Sequence, residues 1–281
     1  MKYRSGSRRM ISTVFSLLLL VLVVFICCFP FILMISGSFK EDYEIFTLTP
    51  RLLPRSFSFE KYAELFRQWP FTNAMVNSLV VTVVTTIGAC FFCTMAGFTF
   101  AKYRFPGKNI LFMLVLSTLM LPLETRLVPT YLLFRAMGGA NRLWSLILPG
   151  LVPAFGIFML RAFASNGVPT ETMEAARIEG ASETGILFRI AFPMLTPAMF
   201  SLAILIFMNT WNDFLWPIII MSDREKLTVT ALLRSIGDVS MNGGYGILLA
   251  ATTLSVLPIL IMYLLFNKQM VKGIIEGSGK E

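Results

Sequence analysis

Few residues in this chain have the means to do chemistry, and their placement narrows that chemistry quickly. There is no histidine, so no imidazole base, no Ser-His-Asp triad and no histidine-based metal site is available. Cys90 and Cys93 have C-x-x-C spacing but lie in an apolar run without a second ligand pair, and they read as buried structural thiols. Cys27 and Cys28 are adjacent and support no disulfide framework. No Gly-x-x-x-x-Gly-Lys-Ser/Thr phosphate loop occurs, since Gly277-Ser278-Gly279-Lys280-Glu281 lacks the first glycine and the hydroxyl residue. Catalysis, a metal and a cofactor bound by this chain are therefore not expected. Two polar groupings remain. One is the amphipathic stretch Glu174-Ala175-Ala176-Arg177-Ile178-Glu179-Gly180-Ala181, continuing to Ile190 and Pro193. The other is a set of polar or aromatic residues inside apolar runs: Asn209, Trp211, Asn212, Asp213 and, further upstream, Glu124 with Arg126.

The elements that must position these residues are membrane helices. The 281 residues are 56% hydrophobic and only 14% charged, with a mean hydropathy of +0.73. Several apolar runs reach the roughly twenty residues that a bilayer-spanning helix needs. Spans are expected at about 11 to 36, 73 to 100, 109 to 134, 142 to 164, 196 to 220 and 246 to 266. The first is too long for a signal-peptide core and lacks a small-residue cleavage site, so it reads as a retained anchor. The expected fold is thus an all-α membrane protein with six spans and both termini on one side.

Lys2, Arg4, Arg8 and Arg9 precede the first span, Lys102, Arg104 and Lys108 fill the second connection, and Lys268 and Lys272 follow the last. By the positive-inside bias those segments face the cytoplasm. The segment from about 37 to 72 balances Lys40, Arg51, Arg55, Lys61 and Arg67 against Glu41, Asp42, Glu44, Glu60 and Glu64, and is placed outside. Much of the net charge of +8 is this topological bias; no basic stripe interleaved with aromatics suggests a nucleic-acid surface.

The connection from Ser165 to Leu195 departs from the bias, carrying Arg177 and Arg189 against Glu171, Glu174, Glu179 and Glu183. It reads as two short helices. Pro169 and Thr170 start the first, Gly180 ends it, and Ser182 caps the second. Ile186, Leu187 and Ile190 share a side of that second helix until Pro193 blocks its continuation. Ala175, Ala176 and Ala181 allow close approach of a partner backbone, and Glu174 and Arg177 offer directional contacts. The alternative is a helix lying on lipid headgroups, which the acidic content disfavours.

The order Glu174-Ala175-Ala176, three residues, Gly180, nine residues, Ile190, two residues, Pro193 resembles the EAA loop of permease subunits in binding-protein-dependent ABC importers. Phe100-Ala101-Lys102-Tyr103-Arg104-Phe105-Pro106-Gly107-Lys108, Trp211-Asn212-Asp213-Phe214-Leu215-Trp216-Pro217 and Gly273 to Lys280 are similar to the carbohydrate branch, specifically its shorter six-span subunit for cargoes such as maltose or glycerol 3-phosphate. Two mild departures are Glu179 and Phe192, where the family usually has Asp and Leu. The resemblance implies a type I permease core over 73–266, preceded by an anchor helix and external loop over 1–72 and followed by a cytoplasmic tail over 267–281. It further implies that the loop at about 165–195 holds a coupling helix, with Glu174, Ala175, Ala176, Arg177, Glu179, Gly180, Ile190 and Pro193 engaging a separate ATPase. The implied partners are an ATPase dimer using ATP and Mg, a second permease subunit and an extracytoplasmic solute-binding protein, in a bacterial cytoplasmic membrane.

Polar residues at membrane depth are costly and usually face a bundle interior. Asn209, Trp211, Asn212, Asp213 and Glu124 are accordingly candidates for the translocation pathway, with Trp211 and Trp216 able to stack on sugar faces. An aromatic belt and helix-helix hydrogen bonds explain the same residues. Pro122 and Pro129 are expected to break the third span around Glu124 and Arg126, which alternatively form a surface pair. The segment Asp223 to Gly246, with Asn242-Gly243-Gly244, is expected to be mobile. A stand-alone secondary transporter, which should show an inverted repeat and an ionisable relay, is the competing class; an amino-acid or polyamine permease is the competing cargo.

Overall fold

The structure, a computed structural model, describes residues 6–47, 51–240 and 244–278. All regular secondary structure among them is helical. In chain order the α-helices are α1 (Gly6–Gly37), α2 (Asp42–Ile45), α3 (Glu60–Gln68), α4 (Phe71–Lys102), α5 (Lys108–Ser117), α6 (Leu123–Ala136) and α7 (Trp144–Ile147), followed by α8 (Ala154–Gly167), α9 (Thr170–Ile178), α10 (Glu183–Ile186), α11 (Phe192–Asn212), α12 (Leu215–Ile220), α13 (Val229–Ser240) and α14 (Tyr245–Ser278).

Five helical stretches are long and apolar enough to cross a bilayer: Ser12–Gly37, Phe71–Lys102, Trp144–Gly167, Glu183–Asn212 and Tyr245–Phe266. A sixth is formed if Lys108–Met120 and Glu124–Ala136, which meet at 110°, count as one broken span. The break falls at Leu121 and Pro122; Pro129 sits inside α6 and does not interrupt it. The fifth span also differs from the expected 196–220. Its helix ends at Asn212, where Asp213 takes an extended conformation, and α12 is a separate element.

The chain divides into two compact units, residues 1–69 with 235–256 and residues 70–234 with 257–281. The larger unit is built on α4, α8 and α11. Lipid is as apolar as these side chains, so the helices gain little from the hydrophobic effect and depend on close van der Waals packing. The sequence supplies small residues four apart on α4: Ala89, Cys93 and Gly97 are all buried. At Gly97 a Cβ would stand 2.7 Å from the Arg161 backbone nitrogen, so only glycine allows α4 and α8 this close. The Cys90 and Cys93 thiols donate to the carbonyls of Met199 and Pro153, at 3.5 and 3.7 Å.

The smaller unit ties the segment after α1 to the start of α14. Lys61 Nζ lies 2.9 Å from Asp42 Oδ2 and 3.4 Å from Glu64 Oε2, and Asp42 Oδ1 accepts the Gly246 N–H at 2.8 Å. Phe39 packs between the rings of Phe57, Phe59 and Tyr62. Most of Asp223 to Gly246 is helical, where the sequence reading has a loop. Val229 and Leu232, in the larger unit, and Ile236, in the smaller, recur at helical spacing along α13 and are each buried. Asn242 and Gly243 lie outside the described residues. The expected tail from 267 is also helical, since α14 runs on to Ser278.

Candidate functional site

The segment between α8 and α11 is held by local capping. Pro169, with φ −62° and ψ 138°, leads into α9, and Glu171 occupies the first turn, where a carboxylate favours the positive helix end. Two bonds close the other end: Gly180 N–H donates to Arg177 O at 3.0 Å and Ala181 N–H to Ala176 O at 2.9 Å. These bonds and φ +85° at Gly180 form a Schellman turn. A Cβ at Gly180 would meet nothing within 4 Å, so backbone conformation rather than space selects glycine there. Ser182 Oγ then accepts the Gly185 N–H at 3.1 Å and caps α10.

Pro193 does not block the helix, contrary to the sequence expectation. Residues Leu187–Ala191 form a π-helical turn, in which Phe192 N–H donates to Leu187 O five residues back, and the chain continues into α11. Proline lacks a donor and its ring collides with the carbonyl four residues earlier. A wider turn with one residue more per bond accommodates both defects at the start of α11.

These local motifs give the segment two faces. Met173, Ile186 and Ala191 are buried in the core of the larger unit, with Ala176, Leu187 and Ile190 packed against it. Glu174, Ala175, Arg177, Glu179 and Gly180 are exposed. Ile178 is 88% exposed at the centre of that face, an unusual position for a large apolar side chain on a polar helix.

Arg177 and Glu183 stitch the two helices together through a bidentate pair, with Nε to Oε1 at 2.7 Å and Nη2 to Oε2 at 3.1 Å. Tyr103, in the α4–α5 connection, donates its hydroxyl to Glu183 Oε2 at 2.6 Å. The helix from Glu183 to Asn212 has 30 residues, about 45 Å against about 30 Å of hydrocarbon. With Glu183 and Arg189 in its first turns, that end stands outside the apolar layer. Hydrogen bonds from Arg177 and then Tyr103 hold the Glu183 carboxyl down to about 2. Burial, then the Glu183 carboxylate, push the Tyr103 phenol up to about 12. Tyr103 and Glu183 were not singled out individually from the sequence; a contact across 80 positions leaves no periodic signal.

The candidate pathway residues do not form one cluster. Asn209 and Asn212 are exposed on α11, three residues apart, and Asn212 Nδ2 bonds its own helix at Met208 O, 2.8 Å. Asp213 Oδ1 accepts the N–H groups of Leu215 and Trp216 at 3.1 and 3.3 Å, and so turns the chain into α12. Trp211 is 2% exposed and stacked on Phe207 with an interplanar angle of 3°. Trp216 donates its indole N–H to Ser145 O at 2.9 Å. Both indoles are buried and engaged within the chain. Glu124 is exposed on the first turn of α6, and among the described residues no ion pair joins it to Arg126.

Comparison with known proteins adds the context for this geometry. Residues 93–274 match the family described as binding-protein-dependent transport system inner membrane component. The chain is 34% identical over 260 residues to the arabino-oligosaccharide transport system permease protein of Bacillus subtilis, covering 90% of each. It is 28% identical to the sn-glycerol-3-phosphate transport system permease protein of Pectobacterium atrosepticum, covering 94% of this chain and 96% of that one. A chain from the crystal structure of a bacterial ABC transporter involved in the import of the acidic polysaccharide alginate has the same fold. Its TM-score is 0.80 at 21% identity, covering 95% of this chain and 99% of that chain.

Proposed function

Because the chain belongs to the inner-membrane components of binding-protein-dependent transport systems, we propose that the exposed face of α9 is the surface through which a separate ATPase drives it. The observation that carries this reading is the two-faced segment. One side is locked into the α4–α8–α11 core, while the other presents Glu174, Ala175, Arg177, Glu179, Gly180 and an 88% exposed Ile178 to a partner. Ile190 and Pro193 belong to the route inward, since they lie in and just after the π turn that leads into α11. A push on α9 is thereby delivered to the fifth span as rigid-body motion.

The same reading places α9 and the basic connections in the cytoplasm. It assigns ATP and Mg to a pair of ATPase subunits, half of the pathway to a second permease subunit, and cargo delivery to an extracytoplasmic solute-binding protein. The cargo class is a sugar, an oligosaccharide or a related polyol or glycerol phosphate. Relatives named for arabino-oligosaccharide, lactose and glycerol 3-phosphate transport support it over amino acids or polyamines. Asn209, Trp211, Asn212, Asp213 and Glu124 remain the pathway candidates; buried Trp211 also braces α11, which carries Asn209 and Asn212 and ends just before Asp213.

Affinity purification of the tagged chain from its native membrane tests the docking surface. Wild type should bring down an ATPase and a second permease, and Glu174→Lys or Gly180→Asp should lose the ATPase while keeping the permease. Wild-type capture of the permease without any ATPase would defeat the reading.

A further inference from the structure

We propose that Tyr103 is a positioning residue that fastens the coupling segment to the α4–α5 connection, so that movement of α9 reaches α4 and α5 as well as α11. The proposal rests on the docking role of α9 given above and adds a second route to it. By covalent connection alone the segment reaches only α8, through Gly167–Pro169, and α11, through the π turn. Tyr103 supplies a third attachment from a distant part of the chain.

The attachment is built at both ends. On the segment side, the Tyr103 hydroxyl donates at 2.6 Å to Glu183 Oε2, the oxygen that also receives Arg177 Nη2 at 3.1 Å. Arg177 is on α9 itself, so a displacement of α9 pulls on Glu183 and on the hydroxyl together. A phenol donating to an ionised carboxylate is among the stronger and more directional hydrogen bonds. On the membrane side, the Tyr103 ring meets buried Phe98 of α4 edge-on at 5.6 Å. Its carbonyl accepts Lys108 Nζ, from the first residue of α5, at 2.8 Å. The neighbouring Lys102 donates to Ser165 O of α8 at 2.9 Å, so the connection also touches the helix that leads into the segment. Tyr103 is thus the residue at which α4, α5 and the coupling segment meet.

The test uses the importer purified through a tag on this chain, with the four native cysteines replaced by alanine. One reporter cysteine is placed at Thr172→Cys, on exposed α9, and one at Asn109→Cys, on the exposed first turn of α5. Maleimide reaction rates are measured with and without Mg-ATP and vanadate, a probe that needs no knowledge of the cargo. Wild type should change rate at both positions. In Tyr103→Phe, which keeps the ring packing and removes only the hydroxyl, the change at Thr172→Cys should persist while that at Asn109→Cys shrinks at least about threefold. Glu183→Gln, which keeps an acceptor but loses the Arg177 charge pair, should fall between them. An undiminished response at Asn109→Cys in Tyr103→Phe would overturn the positioning role, as would loss of both responses together, which marks a docking or folding role. A wild-type chain that gives no response at Thr172→Cys would overturn the docking reading itself.

Discussion

The α9–α10 segment and the break after α11 begin from similar ingredients, each a helix interruption with polar side chains beside it, and resolve them in opposite directions. Around Gly180 and Ser182 the chain satisfies its own helix ends with local bonds, and its remaining charged groups are left outward. Around Asp213 the polar and aromatic groups turn inward. Asp213 caps α12, Trp216 bonds Ser145 O, and the Trp211 carbonyl accepts Thr230 Oγ1 at 2.6 Å. The difference is that a capping motif settles a backbone and frees a surface, whereas an indole settles a core and is consumed by it. Residue type alone therefore marks a place as special without saying whether it serves a partner or the fold.

The largest expected effect breaks the inward region. Trp211→Ala removes a fully buried indole stacked on Phe207, and truncations of this kind cost about 3–5 kcal/mol. Thermal unfolding of the purified chain in detergent should show a clear fall in melting temperature. Asn209→Ala and Asn212→Ala, both exposed, should stay within about 0.5 kcal/mol of wild type. If Trp211→Ala melts like those two, the indole does not brace α11, and its burial on Phe207 adds little to stability.

A smaller effect separates the outward region. Gly180→Ala puts a Cβ on a residue at φ +85°, costing about 1–2 kcal/mol of local strain with no clash. The loss falls on the Schellman turn, so ATPase capture should weaken while the melting temperature of the whole chain barely moves. A drop in melting temperature as large as that of Trp211→Ala would show that the segment and the core unfold as one, and the contrast between the two regions would fail.

Much of the α9–α10 segment was legible because its determinants are local. Gly180, Ser182 and the acidic first turn act within five residues of themselves, and the structure places a helix end, a cap and a helix start there. Pro193 was misread because its rule is written for an α-helix; the π turn at Leu187–Ala191 changes the hydrogen-bond spacing and removes the conflict. The spans were legible in rough position, and in number if the bent α5–α6 pair counts as one, since an apolar run of membrane length has few alternatives. Where the fifth ends was not, because Asn212 and Asp213 interrupt an apolar stretch that resumes at Phe214. The helices α3 and α13 were overlooked although Val229, Leu232 and Ile236 had the spacing, as glycines and charges nearby suggested a loop. Contacts such as Tyr103 to Glu183 were beyond reach, because they depend on how α4 and α11 pack.

The finest test of the contrast is titration of the outward stitch. Glu183 is held at about 2 against an ordinary 4.5 by Arg177 and Tyr103. A depressed carboxyl favours the folded arrangement above its unfolded pKa and ceases to do so as pH falls through the folded value. The Arg177–Glu183–Tyr103 stitch should therefore be intact from about pH 8 down to about pH 5, then loosen progressively toward about pH 2. Amide hydrogen exchange of α9, corrected for the intrinsic pH dependence of exchange, should show constant protection over the upper range and declining protection below it. Glu183→Gln should begin less protected and lack the acid-dependent loss. The groups are largely exposed and screened by solvent, so the change should be small and confined to α9 and α10. Equal pH sensitivity in wild type and Glu183→Gln would mean that the capping turns alone hold the segment, and that the ion pair adds nothing to what Gly180 and Ser182 supply.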